Sequence, residues 1–297
     1  MKRKNHSLYM LGIVTCLLFI LTSCSTSKDS LAVSRKPGIS STTTRLNVAE
    51  CGIDRLKEYT VVHTDIPKSF DGKTILFISD THYPSLFKTK DLNALISYLK
   101  TLNYDIMCLG GDYHENTSLI DTLFDRLGEV KPAMGAYGVM GNNDYERGYD
   151  VVAKAMQRNG IQLLEHKVDT IKYKGSFIQV VGIKNPFNLT KNGISPTLGL
   201  SDKDFVVLLT HTPDYAEDVV IRNSDLVLAG HTHGGQVRIF GVAPIVPSKY
   251  DQKFLTGLVY NSAGIPMIVT NGIGTSNKNI RIGAPSEVVL IHLKSIR

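Results

Sequence analysis

The chain has 297 residues, of which 42% are apolar and 20% are charged, a composition typical of a globular protein with a large core. Its net charge is +6, but the basic residues are not clustered with interleaved aromatic ones, so we expect no nucleic-acid binding. The four cysteines lack the spacing of a zinc site, which excludes a zinc site built from cysteine pairs.

Residues 1–23 have the pattern of a secretory signal. A basic head, Lys2–Lys4, precedes an apolar run from Leu8 to Leu21, which is shorter than the about 20 apolar residues that a spanning helix needs. The run ends in Leu-Thr-Ser-Cys, which resembles a bacterial lipobox, so we expect cleavage before Cys24 and lipidation of its thiol. The alternative is an uncleaved anchor or an ordinary signal with a chance cysteine. We therefore expect an exported chain, anchored to the membrane of the cell envelope through Cys24.

Residues 24–45 are rich in Ser and Thr and contain few bulky apolar side chains. Such a segment buries too little apolar surface to offset the entropy lost on ordering, so we interpret it as a tether. Apolar periodicity begins near residue 46, and we expect one folded domain over residues 46–297.

Strands and helices alternate in the first half of this domain. The predicted strands are residues 59–64, 74–79, 106–109 and 136–140, and the predicted helices are residues 91–102, 119–127 and 151–157. This alternation predicts right-handed crossovers and a parallel sheet.

The second half of the domain is richer in strands. They are predicted at residues 161–164, 169–173, 177–183, 205–210, 225–229, 258–260, 266–270 and 288–292, with a hairpin turn at Lys174-Gly175. The mixture predicts an α/β fold with two mixed β-sheets packed face to face and flanked by helices.

Metal-binding residue types follow five of the predicted strands, at the point where each strand ends. They are Asp80, His82, Asp112, Asn142, His211, His231 and His233. In an open α/β sheet, ligands bind beyond the carboxyl ends of the strands, so we expect these side chains to share one site. Taken alone, the turn with His231 and His233 is equally consistent with two surface histidines on a loop. The recurrence at five strand ends favours a site.

The donor set offers oxygen from two aspartates and one asparagine, nitrogen from four histidines, and no thiolate. It favours manganese, iron or zinc over calcium or magnesium. Seven ligands exceed what one ion with an open position takes. They suit two ions about 3.5–4 Å apart that share a carboxylate.

The motif order Asp-x-His, Gly-Asp, Gly-Asn-x-Asp, His and Gly-His-x-His resembles the calcineurin-like metallophosphoesterase superfamily, from residue 57 to the end of the chain. The segments Gly230–Gln236 and Gly272–Glu287 are similar to its bacterial phosphodiesterase branch, which is often exported or membrane-associated. The resemblance implies a metallophosphoesterase-like sandwich with two ions. It implies that one ion is held by Asp80, His82, Asp112 and His233, and the other by Asp112, Asn142, His211 and His231.

The resemblance further implies hydrolysis of a phosphoester by a hydroxide that bridges the two ions. We expect the substrate to be a phosphodiester of the envelope. A phosphomonoesterase and a non-catalytic metal-binding lipoprotein are the alternatives. The sequence indicates neither the metal pair nor the oligomeric state.

The chain departs from the superfamily motif at Asn143, where the usual residue is a histidine that helps to protonate the leaving group. An amide donates a hydrogen bond but supplies no proton at useful pH. Asp144, which would orient that histidine, is retained. We hypothesise that His114 takes over the missing role, the alternative being a solvated loop histidine. Arg281 is interpreted as a surface residue, with contact to a substrate phosphate as the alternative.

Overall fold

The computed structural model describes residues 38–296. The expected signal peptide, the lipidated Cys24 and the first part of the expected tether lie outside these residues. Within residues 38–296, no helix has the length and apolar character needed to cross a membrane.

The strands agree with the predicted ones to within a few residues at most ends. They are β1 Gly38–Arg45, β2 Arg55–His63, β3 Thr74–Ile78, β4 Ile106–Leu109, β5 Ala136–Gly138, β6 Ile161–Leu163, β7 Lys167–Tyr173, β8 Ser176–Gly182, β9 Val206–Leu209, β10 Leu226–Ala229, β11 Gly257–Tyr260, β12 Pro266–Val269 and β13 Glu287–Ser295. Lys174 and Gly175 both have positive φ and join β7 to β8, as a two-residue hairpin turn requires.

Helices occupy the connections between the strands. They are α1 Val48–Cys51, α2 Thr89–Leu99, α3 Ile120–Leu127, α4 Asn142–Arg147, α5 Tyr149–Arg158, α6 Leu189–Asn192 and α7 Tyr215–Asp218. Helix α2 buries Leu92, Leu95, Ile96 and Leu99, whose spacing of three and four residues places them on one face. Asp91 accepts a hydrogen bond from the Lys88 backbone N–H at 2.9 Å, which satisfies one of the donors at the start of the helix.

The strands form two mixed sheets. The first has the order β1-β2-β13-β3-β4-β5-β6, and the second has the order β11-β12-β10-β9-β8-β7. Strands β3 to β6 run parallel in the first sheet, and β8, β9, β10 and β12 run parallel in the second. The expected α/β fold of two mixed sheets with flanking helices is confirmed.

Side chains that alternate along the strands separate the core into layers. Phe77 of β3 and Val207 of β9 belong to one apolar cluster between the two sheets. Their neighbours face outward: Leu76 packs with the helices over the first sheet, and Val206 packs against α7 over the second. Successive residues of a strand point to opposite faces, so a strand buried on both faces reads as a continuous apolar run.

The interpretation of residues 24–45 as a tether is wrong for residues 38–45. These residues form β1, which pairs antiparallel with β2 along its whole length at the outer edge of the first sheet. All but Ile39 are exposed, because both faces of this edge strand meet solvent. Ser and Thr are therefore tolerated throughout, and the alternation that identifies a half-buried strand is absent.

Candidate metal centre

The seven predicted ligands come together at one end of the two sheets. Asp80 and His82 follow β3, Asp112 follows β4, and Asn142 begins α4 shortly after β5. His211 follows β9, and His231 and His233 follow β10. Each strand is buried and ends at a turn, so its last residues direct the polar side chains to the same edge.

Asp80, His82 and His233 form the first of two triads. One donor atom from each lies within 4.8 Å of the other two, and all three side chains are buried. The Nε2 atom of His233 lies 3.6 Å from Oδ1 of Asp80. The Nε2 atom of His82 is buried and has no hydrogen-bond partner, an arrangement that is rare unless another ligand satisfies the atom.

Asp112, His211 and His231 form the second triad, again with donor atoms within 4.8 Å of one another. Nε2 of His211 lies 3.1 Å from Nδ1 of His231. Nδ1 of His211 lies 2.8 Å from the carbonyl oxygen of Gly110. Because a carbonyl only accepts, Nδ1 carries the proton and Nε2 is left with a lone pair when the ring is neutral.

Asp112 connects the two triads. Its Oδ2 atom lies 3.5 Å from Nε2 of His82 and 3.4 Å from Nε2 of His211. Its Oδ1 atom accepts a hydrogen bond from the Asn143 backbone N–H at 2.9 Å, which fixes the orientation of the carboxylate. One oxygen of Asp112 is therefore shared between both triads.

Asn142 adds a further oxygen to this group. Its side-chain Oδ1 is buried and, like Nε2 of His82, has no hydrogen-bond partner. The residue lines a cavity of about 510 Å³ together with Asp112, His231 and His233. Two orphaned donor atoms and a shared carboxylate fit a pair of transition-metal ions, because those ions accept mixed oxygen and imidazole ligands.

Burial and neighbouring charge set the protonation of the imidazoles. Burial, with a contribution from His211, lowers the pKa of His231 to about 3. Burial and the charge of His82 likewise hold the pKa of His233 well below its usual range. Burial opposes the charged form of His211 too, but the Asp112 carboxylate raises its pKa to about 9. The neutral rings of His231 and His233 have lone pairs available for a metal.

Glu115 supports the centre, and no sequence pattern pointed to it. Its Oε1 atom lies 2.6 Å from Nδ1 of His82 and accepts a hydrogen bond from Nδ2 of Asn143 at 3.0 Å. A carboxylate on the second nitrogen of a metal-binding imidazole fixes the tautomer and the ring orientation. Asn143 is thereby held beside the first triad, with its amide group committed to Glu115.

Asp144, retained from the motif although its histidine is not, hydrogen-bonds to backbone groups. Its carboxylate accepts hydrogen bonds from the backbone N–H groups of Gly141, Asp112 and Tyr113, at 2.9, 2.8 and 3.1 Å. Burial raises the pKa of Asp144 to about 7, although those backbone N–H groups oppose the shift. Asp144 therefore ties the loop of Asp112 to the start of α4.

His114 lies outside both triads. The residue is buried, and a Cβ on Gly148 would lie 2.9 Å from its Nε2 and 3.3 Å from Cδ1 of Ile120. The ring thus lies against Gly148, at the far end of α4 from Asn142. The hypothesis that His114 protonates a leaving group is not supported by this geometry.

Arg281 is partly buried, and its guanidinium is engaged by the backbone and not free for a substrate phosphate. Its guanidinium donates to the carbonyl oxygens of Gly274, Asn271 and Ala284, at 2.6 to 3.0 Å. It also donates to the carbonyl of His233 at 3.4 Å. Burial lowers the pKa of Arg281 to about 10. The side chain braces the backbone behind the first triad.

The fold and this donor set define a class: a two-sheet α/β sandwich that gathers a mixed set of carboxylate, amide and imidazole donors at its strand ends. The family model for calcineurin-like phosphoesterases matches residues 73–235, and the chain belongs to that family. The matched stretch begins just before β3 and ends just after His233.

The chain is also similar to individual relatives and, more distantly, to a solved structure. The chain is 28% identical to the metallophosphoesterase YkuE of Bacillus subtilis over 244 residues, covering 80% of this chain and 85% of that protein. It is 25% identical to a metallophosphoesterase of Aquifex aeolicus over 247 residues, covering 81% and 92%. The phosphopantetheinyl hydrolase of Mycobacterium tuberculosis aligns at 14% identity with a TM-score of 0.41, covering 67% of this chain and 88% of that one.

Proposed function

We propose that this protein is a two-metal phosphodiesterase. The observation that supports the proposal most is the shared Oδ2 of Asp112, which lies within 3.5 Å of a histidine nitrogen in each triad. When bound, a pair of transition-metal ions supplies a hydroxide nucleophile at neutral pH and offsets negative charge on the phosphoryl oxygens.

Each triad would hold one of the two ions. Asp80, His82 and His233 would hold one ion, and His211, His231 and Asn142 the other, with Asp112 shared. The donor set suits manganese, iron or zinc, and we propose that both ions are of these elements, either the same or different.

Asn143 lies beside the first triad, and we propose that it contacts the phosphoryl group. Its backbone N–H and one amide proton are committed to Asp112 and Glu115. Its Nδ2 atom also lies 3.3 Å from Nδ1 of His82. An amide at this position can donate a hydrogen bond but cannot transfer a proton to a leaving group. We therefore propose that substrates with an acidic leaving group react fastest.

The cavity beside the triads favours a diester over a monoester. Its outer wall is mainly apolar and includes Val237, Pro244, Ile245 and Ile280, with Lys278 as the one cationic side chain among its lining residues. A monoester dianion needs more positive charge than this wall offers. A diester carries one charge, and its second organic substituent gains contact with the apolar wall.

The test is a substrate panel with the purified protein in manganese, iron or zinc. We expect kcat/KM for a bis-nitrophenyl phosphodiester to exceed that for the nitrophenyl monoester by about tenfold or more. Faster turnover of the monoester would identify a phosphomonoesterase. Tight binding of two ions without hydrolysis of either ester would identify a non-catalytic metal-binding protein.

We also propose that the domain acts outside the cytoplasm, attached to the envelope through lipidated Cys24. This proposal rests on the signal-like residues 1–23 and the lipobox-like sequence that ends at Cys24. Metabolic labelling with a fatty-acid analogue tests it: wild-type protein should be labelled, and Cys24→Ser should not.

A further inference from the structure

A group of large apolar side chains is exposed beside the candidate metal centre. Phe240 is fully exposed, and Ile245 is 80% exposed. We call the group the apolar rim, and its members are Ile239, Phe240, Val242, Ile245, Ile280 and Ile282. Contiguous exposed apolar surface of this kind marks a site of contact with another molecule or with a membrane.

The rim projects from the body on a tight hairpin. The backbone groups of Ile239 and Val242 hydrogen-bond to each other at 2.9 and 3.1 Å. Phe240 and Gly241, which join them, have φ of 51° and 86°. Turns of this type usually have Asn or Gly at the first position, where a bulky aromatic residue is an outlier. The hairpin therefore presents Phe240 outward at a backbone conformation that disfavours it.

The body of the protein holds this hairpin in place. The Arg238 N–H donates to the carbonyl of Ile282 at 2.7 Å, and the Ile282 N–H donates to the carbonyl of Gln236 at 3.0 Å. The side chain of Arg238 also donates to the carbonyl of Gly283 at 2.8 Å. The two segments of the rim thus form one supported surface.

The rim is continuous with the cavity of the metal centre. Ile245 and Ile280 belong to the rim and also line the cavity that contains Asp112, His231 and His233. A molecule that contacts the rim is therefore at the mouth of the candidate site.

Two cationic side chains, Arg238 and Lys278, lie in the segments that carry the rim. The other two basic residues of these segments are engaged elsewhere: Lys249 pairs with Asp218, and the guanidinium of Arg281 donates to backbone carbonyls. Lys278 is exposed beside Ile280. Exposed apolar side chains flanked by cations complement an anionic lipid surface, where the apolar groups enter the acyl region and the cations remain at the headgroups.

We propose that the apolar rim docks this protein onto an anionic lipid bilayer, so that the mouth of the candidate metal centre faces the lipid headgroups. A side chain at the tip of a two-residue turn suits insertion between lipids, whereas a protein partner needs a broad complementary surface of about 800 Å². The apolar run at Leu8–Leu21 independently predicts that the chain is targeted to a membrane. Access to a lipid-borne phosphoester rests on the proposed function, but docking does not.

The absence of tryptophan from the chain allows a direct measurement. Phe240→Trp places a single emitter on the rim of the full-length chain. Phe177→Trp is the matched control, because Phe177 is 39% exposed on β8 and outside the rim. Each variant is bound to vesicles of phosphatidylcholine and phosphatidylglycerol, with or without bromine on the acyl chains.

We expect brominated lipid to quench the emission of Phe240→Trp by about twofold or more, and to leave Phe177→Trp unchanged, since interfacial groups lie within reach of the acyl bromines. Equal emission of Phe240→Trp in both kinds of vesicle would overturn the proposal. A blue shift that follows protein concentration without lipid would also overturn it and would indicate a second copy of the chain on the rim.

A second measurement separates docking from catalysis. Phe240→Ser should leave hydrolysis of a soluble nitrophenyl phosphodiester unchanged, because Phe240 does not line the cavity. It should slow hydrolysis of a phosphodiester carried by a vesicle lipid by about tenfold, with Phe177→Ser as the control. Equal rates for wild type and Phe240→Ser on the vesicle substrate would contradict the proposal. Loss of all hydrolysis in the wild type would contradict the proposed function and leave the fluorescence result to decide docking.

Discussion

Five of the seven candidate ligands have a positive φ. The angles are 52° for Asp80, 40° for His82, 53° for Asp112, 69° for His231 and 53° for His233. Residues other than glycine rarely adopt this region, and each instance costs about 1–3 kcal/mol. The fold therefore holds strain at the metal centre, where these turns bring side chains from separate strand ends together.

Glu115 should set the affinity of the first triad for metal. Glu115→Gln keeps the shape of the side chain but removes the charge that fixes the tautomer of His82. We expect metal affinity to fall by about 10- to 100-fold, with turnover largely restored at saturating metal. Metal titration with a spectroscopic competitor measures the change.

Glu129→Gln is the control for that variant, because Glu129 pairs with Lys100 and Arg126 away from the centre. Equal metal affinity for Glu115→Gln and wild type would show that Glu115 does not position His82.

Replacement of Asn143 tests the consequence of having an amide at that position. Asn143→His introduces a group that can transfer a proton, so we expect turnover to rise most for poor leaving groups, by about 100-fold or more. The measurement is the dependence of rate on the leaving-group pKa across a series of aryl and alkyl phosphodiesters. A uniform change across that series would contradict a role for position 143 in leaving-group departure.

The sequence predicted which residues gather at the candidate centre but not the side chains that support them. Asp80 and His211 were predictable because polar residues directly follow buried apolar strands. Glu115 was not, because its contact with His82 depends on the turn at Asp112, and no local pattern encodes that turn. His114 was chosen instead because it is a histidine near Asp112, but chain proximity does not determine the direction of a side chain.

At the level of the elements, glycines allow neighbouring strand ends to approach the carboxylates. A Cβ on Gly230 would lie 2.1 Å from Oδ2 of Asp80, and one on Gly141 would lie 2.0 Å from Oδ1 of Asp112. The space beside Gly230 is therefore filled by a carboxylate of this chain. We expect a substrate to reach the centre from the side where the cavity lies.

Gly230→Ala should displace Asp80 without unfolding the domain. The methyl group would clash with Oδ2 of Asp80 and Oγ of Ser79, so we expect a loss of metal at the first triad and about 100-fold lower diester turnover. Elemental analysis and steady-state kinetics measure the two effects. Gly199→Ala is the matched control, because a Cβ there has no neighbour within 4 Å. Full metal content in Gly230→Ala would contradict the packing described here.

Elements with a buried face were predictable, and elements without one were not. The apolar side chains of strand β3 form a continuous run, and those of helix α2 are spaced three and four residues apart. Strand β1 consists mainly of exposed Ser and Thr, and helix α4 spans only Asn142–Arg147, too short to show a helical period. Strand β1 depends on pairing with β2, and helix α4 depends on capping by Asp144.

At the scale of the molecule, each triad takes ligands from both sheets. Asp80, His82 and Asp112 follow strands of the first sheet, and His211, His231 and His233 follow strands of the second. Ions bound to these groups would therefore link the two sheets at one end of the core. Metal binding is then coupled to the stability of the whole domain.

Removal of metal should lower the melting temperature. A ligand present at about 100 times its dissociation constant stabilises the folded state by about 2.7 kcal/mol, which for a domain of this size corresponds to about 5–10 °C. Differential scanning calorimetry with and without a chelator measures the shift. Asp112→Asn should show little dependence on the chelator, and the same shift in wild type and Asp112→Asn would contradict a shared metal ligand at Asp112.

The pairing order of the strands could not be predicted from the sequence. Strand β13 inserts between β2 and β3, so the end of the chain completes the middle of the first sheet. Apolar runs indicate that strands exist, but their neighbours are set by contacts between distant segments. The apolar rim could not be predicted for the same reason, because the exposure of Phe240 depends on the assembled fold.

Anomalous X-ray scattering from crystals grown with manganese tests the central claim most directly. We predict two peaks, one beside Asp80, His82 and His233 and the other beside Asp112, His211 and His231, with the Asp112 carboxylate between them. Peaks elsewhere in the molecule, or a single peak that excludes one triad, would contradict the two-metal centre.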